Sequence, residues 1–586
     1  MASLRILLLS HSFNSLTQRL HAELTARGHA VSVELDIADS VSTEAVALFQ
    51  PDLVLAPFLK RAIPESLWSR QLCLVVHPGI VGDRGPSALD WALQEGKETW
   101  GVTVLQAEAE MDAGPVWASA EFPLRRGKKA SLYRQEVTEA ACRASLQAIE
   151  RFQAGDFTPR RPDPADPAVR GRERPLLRQA ERAIDWERDD SATVLRKLNA
   201  ADGFPGVLDQ FFGEPCHLYD AWPEGRLRGS PGAVIARRES ALCRATADGA
   251  VWIGHVKRGG SDSAKFPHAF KLPAATAFAE RLDAVPEAPL EGWFAADHPT
   301  WQDIRYEETG TVGFLHFDFY NGAMGTAHCQ RLLAALHFAL ARPTAVLVLL
   351  GGRDFWSNGI HLNLIEAADS PADESWRNIN AMDDLAEALI RATGKLTVAA
   401  LRGNAGAGGC FLARAADLVW ARQGVILNPH YKNMGNLYGS EFWTYLLPPR
   451  VGEAGARAIM QHRLPMTAGE GVALGFLDAA LAGEPGAFQV EVAHRAAALA
   501  AAPDLAGRLA GKASRRAADE AAKPLSAWRA EELAHMQRNF YGFDPSYHVA
   551  RYHFVHKSPS PGPPAIWRGT GTWAGLHRSP PPPEPR

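Results

Sequence analysis

What the chain has little of narrows it first. Its 586 residues hold six cysteines, Cys73, Cys142, Cys216, Cys243, Cys329 and Cys410, with no close pair. Such spacing supplies neither a disulfide framework nor a zinc-ligand set, and it fits a reducing compartment. Long apolar runs are missing. The first, Ile6 to Leu9, is too short for the core of a signal peptide. No segment approaches the roughly 18 apolar residues of a membrane helix. A charge excess is missing too: 62 Lys and Arg against 66 Asp and Glu leave a net charge of -4. A dedicated nucleic-acid binder is usually basic. No internal repeat is visible. These absences predict a cytoplasmic protein acting on small molecules, with no nucleic acid, membrane or metal. The remainder has ordinary globular composition, 46% hydrophobic and 22% charged. The length predicts about three or four domains.

Residues 1 to about 110 alternate short apolar strands (Leu4 to Leu9, Ala30 to Leu35, Leu53 to Ala56, Leu72 to Val76, Val102 to Leu105) with helical stretches. This rhythm predicts a parallel, doubly wound sheet, whose ligands bind at the carboxyl ends of the strands. A charged, proline-bearing stretch from Arg160 to Arg174 reads as a linker. Short β-prone runs from Arg178 to about Lys271 predict a small, mostly β domain. A second α/β unit follows, with strands at Val312 to Phe317, Ala345 to Leu350, Leu396 to Ala400 and Asp417 to Ala421. Residues 485 to about 540 read as helices, and the proline-rich end from Ser558 as a disordered tail.

Two places carry chemistry. In VVHPGIVGDRGPSALDW, His77 follows an apolar strand directly, and GVTVLQAEAEMDAGP brings Asp112 to a turn after another strand. A carboxylate beside an imidazole can orient it and stabilise its charge, which makes an acid/base pair; the alternative is a loop cap and a turn starter. These segments, with IDWERDDSATVLRKLNAADGFPGV, resemble the 10-formyltetrahydrofolate-dependent formyltransferases over roughly residues 1 to 272. The resemblance implies that His77 and Asp112 are catalytic, and that Arg84, Gly85 and Pro86 form the substrate loop. It departs at Val75, where the family carries an Asn that donates to the formyl oxygen; losing such a donor is worth roughly 3 kcal/mol in other acyl-transfer enzymes.

The second place is RGNAGAGGCFLARAADLVW, with glycines at 403, 406, 408 and 409 before a buried helix. Glycine inside a helix costs roughly 1 kcal/mol relative to Ala. It also leaves backbone N–H groups open to a ligand at a helix start, where an oxyanion is stabilised; close helix packing is the alternative use. A similar strand–glycine–helix junction lies in GGRDFWSNGIHLNLIE. Together with MTAGEGVALGFLDAAL, these resemble the enoyl-CoA hydratase/isomerase (crotonase) superfamily over roughly residues 300 to 482. The resemblance implies a thioester oxygen bound by the peptide N–H groups of Ile360 and Gly408, with Gly359 and Gly409 in the cradle and coenzyme A as ligand. Two glutamates of the hydratases are absent: Phe411 and His430 stand in their places, so enoyl hydration is not expected. LNPHYKNMGNLYGSEFW offers Tyr431 as proton donor and Glu441 as base; the alternative is that the tyrosines pack and that Glu441 or Ser440 caps a helix.

The fusion of the two halves, with PHYKNMGNLYGSEFW and GFDPSYHVARYHFV, resembles the HypX/HoxX family of NiFe-hydrogenase maturation factors. The resemblance implies a formyltransferase-like N-terminal domain (1–175), its β domain (176–275), a crotonase-like domain (285–485), a helical C-terminal region (486–557) and the tail (558–586). It implies formyl transfer from 10-formyltetrahydrofolate to CoA, then decarbonylation of formyl-CoA to carbon monoxide, with other hydrogenase-maturation proteins as protein partners. Formyl transfer to an amine, or a non-catalytic one-carbon carrier, are the rival readings. Residues 540 to 557 either anchor the C-terminal helices or fold over a phosphate.

Overall fold

The computed structural model describes residues 2–260 and 268–558, so the expected tail lies, beyond Ser558, outside the described residues. The chain divides into two compact units, one built mainly on Met1–Ala288 and the other on the chain from Gln302 onward.

The first unit opens with β1 (Arg5–Ser10), β2 (Ala30–Leu35), β3 (Leu53–Phe58), β4 (Cys73–His77), β5 (Thr99–Gln106) and β6 (Val116–Pro123), in the sheet order β2-β1-β3-β4-β5-β6. The apolar run of β1 serves both faces. Ile6 and Leu8 pack with Leu16, Leu20 and Ala144 on one side. Leu7 and Leu9 pack with Val54 and Ile63 on the other, the two-residue alternation of a strand buried on both faces.

The expected all-parallel sheet holds for β1 to β4 only. β5 runs antiparallel to β4, with His77 opposite Thr103, and β6 runs antiparallel to β5. The loop after β4 and the two-turn helix Ala88–Gln94 return the chain at the carboxyl end of β4, so β5 must run back. The stretch expected to be a linker also does more than connect. Gly171 donates its N–H to the Val81 carbonyl at 3.1 Å, and Arg174 to the Arg84 carbonyl at 3.0 Å. It therefore pins the loop after His77.

The β domain holds β7 (Val207–Phe211), β8 (Glu214–Glu224), β9 (Val234–Arg238), β10 (Ala241–Ala245), β11 (Ala250–Arg258) and β12 (Leu272–Pro273). They form an antiparallel sheet ordered β7-β8-β11-β10-β9, with β12 on β11.

In the second unit the chain feeds two sheets alternately. The larger contains β13 (Ile304–Thr309), β14 (Val312–Phe317), β15 (Val346–Leu350), β17 (Leu396–Leu401), β19 (Leu418–Arg422) and β22 (Ala479–Leu481), in that order. The smaller contains β16 (Phe355–Ser357), β18 (Asn404–Gly406), β20 (Ile426–Asn428) and β21 (Met466–Thr467). Each of β15, β17 and β19 is thus followed by a short strand in the second sheet, which stacks the two glycine junctions side by side: β16 pairs with β18 in parallel. One face of the larger sheet is covered by the helix Pro485–Ala500 through Phe488, Val492 and Ala496. The other face packs against Thr326–Ala341 and Pro371–Ile390. The helices Leu525–Tyr541 and Ser546–His556 join that same core through Leu525, Met536, Phe540 and Tyr547. Residues 540–557 are anchored there: the Tyr547 hydroxyl meets Ser375 Oγ at 2.7 Å, and Arg551 donates to Glu366 at 2.7 Å.

Candidate active sites

His77 is the last residue of β4 and is 4% exposed. Its Nε2 lies 3.0 Å from Asp83 Oδ2 and its Nδ1 3.5 Å from Asp112 Oδ1. The expected partner Asp112 therefore reaches His77, but Asp83 is the nearer one. Asp83 is 2% exposed, and its second carboxyl oxygen has no hydrogen-bond partner among the described residues. Sequence reasoning missed Asp83; its signal is an acidic residue inside a glycine-rich loop that must turn back towards the strand end. Asp112 also accepts the Gly85 N–H at 3.2 Å, which ties the loop expected to bind substrate to the same carboxylate. Arg84 pairs with Glu110 on the loop that bears Asp112. Val75 lies two residues before His77 and so on the same face of β4. A histidine between two carboxylates can carry a proton at either nitrogen and exchange it with a bound group.

The second site forms where the glycine junctions meet. Gly359 has φ +78°, and a Cβ built on it would lie 3.4 Å from the Gly408 nitrogen. Gly408 is the first residue of the helix Gly408–Arg414, so its N–H has no partner inside the helix. Ala407 before it has φ +46°, a sparsely populated conformation for a residue with a side chain. Three of the four glycines are sterically required by what faces them: a Cβ on Gly403 would lie 2.4 Å from the Asp354 carbonyl carbon. A Cβ on Gly408 would lie 2.0 Å from Glu441 Oε1, and one on Gly409 2.2 Å from the Ser357 carbonyl oxygen. Ile360 follows Gly359 and bridges to Met324.

Tyr431 and Glu441 come together at this junction. The Tyr431 hydroxyl donates to Glu441 Oε2 at 2.5 Å, while Glu441 Oε1 has no hydrogen-bond partner among the described residues. Burial, then the neighbouring Asp383, push the Glu441 carboxyl well above the usual carboxylate range. Burial and the Glu441 charge push the Tyr431 phenol up as well. Phe411 stacks on the Tyr431 ring with centroids 5.8 Å apart, an apolar wall where hydratases carry a glutamate. His430 is held neutral: burial, then Arg463 and His462, push it down to about 4. Neither Glu441 nor Ser440 caps the following helix, Trp443–Leu446, whose N-cap Phe442 makes no side-chain cap bond. Asp383, which accepts the Glu441 N–H, and Glu532, which accepts the Phe442 N–H, were not found from sequence.

Fold and sites define a fused protein, a formyltransferase joined to an enoyl-CoA hydratase/isomerase-type domain. The family models agree: formyl transferase matches residues 27–149, formyl transferase C-terminal domain 176–271, and enoyl-CoA hydratase/isomerase 321–542. The hydrogenase maturation factor HoxX of Bradyrhizobium diazoefficiens is 56% identical over 97% of both chains. The crystal structure of HypX from Aquifex aeolicus in complex with tetrahydrofolic acid superposes with a TM-score of 0.93 at 47% identity, covering 97% of this chain and 98% of that one. Methionyl-tRNA formyltransferase of Trichlorobacter lovleyi is 23% identical over 38% of this chain and 71% of its own length. The chain belongs to the HypX/HoxX family of hydrogenase maturation factors. Among its described residues no helix is long and apolar enough to cross a membrane.

Proposed function

We propose that the chain transfers the formyl group of 10-formyltetrahydrofolate to coenzyme A and decarbonylates the resulting formyl-CoA, releasing the carbon monoxide that becomes a ligand of the hydrogenase iron. Both small molecules enter as substrates. Residues 1–175 and 176–275 carry the folate step, and 285–485 with the helices of 486–557 the thioester step. Support for the folate comes from the formyl-transferase match and from the tetrahydrofolic acid in the Aquifex aeolicus relative.

In the first step the thiol sulfur bonds to the formyl carbon and the carbon–nitrogen bond to folate breaks. The thiol proton passes through His77 and its carboxylates to the departing nitrogen. In the second step the N–H groups of Ile360 and Gly408 hold the thioester oxygen. A formyl thioester has no α-carbon, so the proton that leaves is the one on the carbonyl carbon. Glu441 takes it, the carbon–sulfur bond breaks with its electron pair going to sulfur, and carbon monoxide departs. Tyr431 protonates the sulfur and is reprotonated by Glu441.

The observation that carries this reading is the Tyr431–Glu441 pair, 2.5 Å apart, set against Gly408 in a cradle whose hydratase glutamate is a phenylalanine. Incubation with 10-formyltetrahydrofolate, with and without CoA, tests it through a haem reporter of carbon monoxide. CoA-dependent gas release is expected. Formylation of an added amine without gas, or stoichiometric binding without turnover, overturns it.

A further inference from the structure

Glu441 and Phe442 both adopt left-handed backbone conformations, φ +59° and +61°, although neither is glycine. Phe442 is also fully buried. Two such residues in a row persist only where their surroundings hold them. Here the holders are carboxylates from two distant helices. Asp383, on Pro371–Ile390, accepts the Glu441 N–H at 2.8 Å and the Ser440 hydroxyl at 2.8 Å. Glu532, on Leu525–Tyr541, accepts the N–H groups of Phe442 at 2.9 Å and Thr444 at 2.8 Å, together with the Thr444 hydroxyl at 2.5 Å. Ser440 Oγ also lies 3.3 Å from Glu532, so one hydroxyl bridges the two acids.

We infer that Asp383 and Glu532 are positioning residues for the thioester site: they clamp the Glu441–Phe442 turn so that the Glu441 carboxyl is held against both Tyr431 and Gly408. This rests on the decarbonylation reading for its consequence, not for its geometry. The helix Leu525–Tyr541 thereby becomes part of the active site rather than an appendage.

The clamp also sets the charge around Glu441. Three carboxyl groups meet with almost no exposure. Burial foremost, with the adjacent Asp384 charge adding to it, pushes Asp383 up to about 7; burial, then the Asp383 charge, push Glu532 up to about 8. Arg529 faces Asp383 at 3.7 Å but is shared with Asp384 and Glu387. The other groups facing Glu441 are Tyr431 and the thiols of Cys410 and Cys329, whose ionisation burial opposes. A neighbouring negative charge raises the pH at which Glu441 gives up its proton, so removing one lowers it.

The experiment uses the full chain with Asp383→Asn, Glu532→Gln and the charge-keeping Glu532→Asp. The carboxylic C=O infrared band of Glu441, assigned by its loss in Glu441→Gln, is titrated without substrate, and carbon monoxide release from added formyl-CoA is followed against pH. The Asn and Gln variants are expected to move the Glu441 midpoint to lower pH and to shift the acidic limb of the rate profile with it. Glu532→Asp, too short to reach both amides, is expected to keep the midpoint and lose about a hundredfold in kcat with little change in KM. A merely structural role would lower the rate equally at every pH. An unchanged midpoint in the Asn and Gln variants, or full kcat in Glu532→Asp, overturns the proposal. If the unaltered protein releases no gas, the decarbonylation reading fails while the infrared titration still decides the clamp. If one variant does not fold, the others carry the same decision.

Discussion

Gly408→Ala adds a single carbon where the two halves of the proposed thioester cradle meet. That carbon would lie 2.0 Å from Glu441 Oε1, 2.5 Å from its Cδ and 2.9 Å from Oε2. Non-bonded carbon and oxygen settle at roughly 3.5 Å, so the carboxyl must retreat by about 1.5 Å. The Tyr431–Glu441 bond is 2.5 Å long, and a retreat of that size breaks it. Leaving a buried polar group without its hydrogen-bond partner costs roughly 1–3 kcal/mol. Against this, Ala is favoured over Gly in a helix by roughly 1 kcal/mol. Net stability therefore falls by only about 1 kcal/mol. Catalysis has no such offset. Displacing the base and crowding the Gly408 N–H are each expected to cost about a hundredfold.

The signature is therefore a rate of carbon monoxide release from synthetic formyl-CoA down by at least about a hundredfold, with a melting temperature that barely moves. Gly409→Ala is the contrast. Its Cβ would meet the Ser357 carbonyl oxygen at 2.2 Å, and backbone cannot step aside as a side-chain end can. That variant is expected to lose roughly 3 kcal/mol or more of stability. Single-turnover gas release with a haem reporter, run beside thermal denaturation, reads both effects. Wild-type gas release from Gly408→Ala would show that neither the amide nor the Glu441 placement is used.

Three further outcomes follow from the same contacts. Tyr431→Phe keeps the stack on Phe411 but removes the proton donor, and kcat for carbon monoxide release should fall by about 10²–10⁴; an unchanged rate excludes Tyr431 as the acid. His77→Ala should abolish formyl transfer from 10-formyltetrahydrofolate while leaving gas release from supplied formyl-CoA intact, and Asp83→Asn should impair the same first step through the 3.0 Å contact; assays begun from each substrate separate the two. Stability should fall on the alkaline side: the folded pKa values of Asp383 and Glu532 lie above their unfolded values, so their contribution is present in full below about 4 and is lost as pH rises through about 7 and about 8. Denaturant midpoints between pH 5 and 9 check this, and Glu532→Gln should flatten the slope.

What the sequence made legible depends on how far apart in the chain the deciding contacts lie. β14, β15, β17 and β19 are apolar runs, and their observed limits fall within a residue or two of expectation. β16, β18 and β20 have three residues each, too few for any periodicity to register, and β13 is mostly polar. The antiparallel β5 escaped because an apolar run does not state its direction. Tyr431 and Glu441 could be paired on paper because ten positions of one loop separate them. Asp383 and Glu532 reach the same turn from 58 and 90 positions away. A local signal was nonetheless present. In the helix Leu525–Tyr541, Leu525, Glu532, Met536 and Phe540 are all buried, at spacings of seven, four and four, so a glutamate stands on the apolar stripe. Asp383 likewise falls among buried Ile379, Met382 and Ala386. An acid on the face a helix must bury is costly unless donors await it. Here the donors are the amides of Glu441, Phe442 and Thr444 and the hydroxyls of Ser440 and Thr444. The displaced charge on each stripe therefore points to a turn elsewhere that needs acceptors, and the turn bearing Glu441 is the one both helices meet.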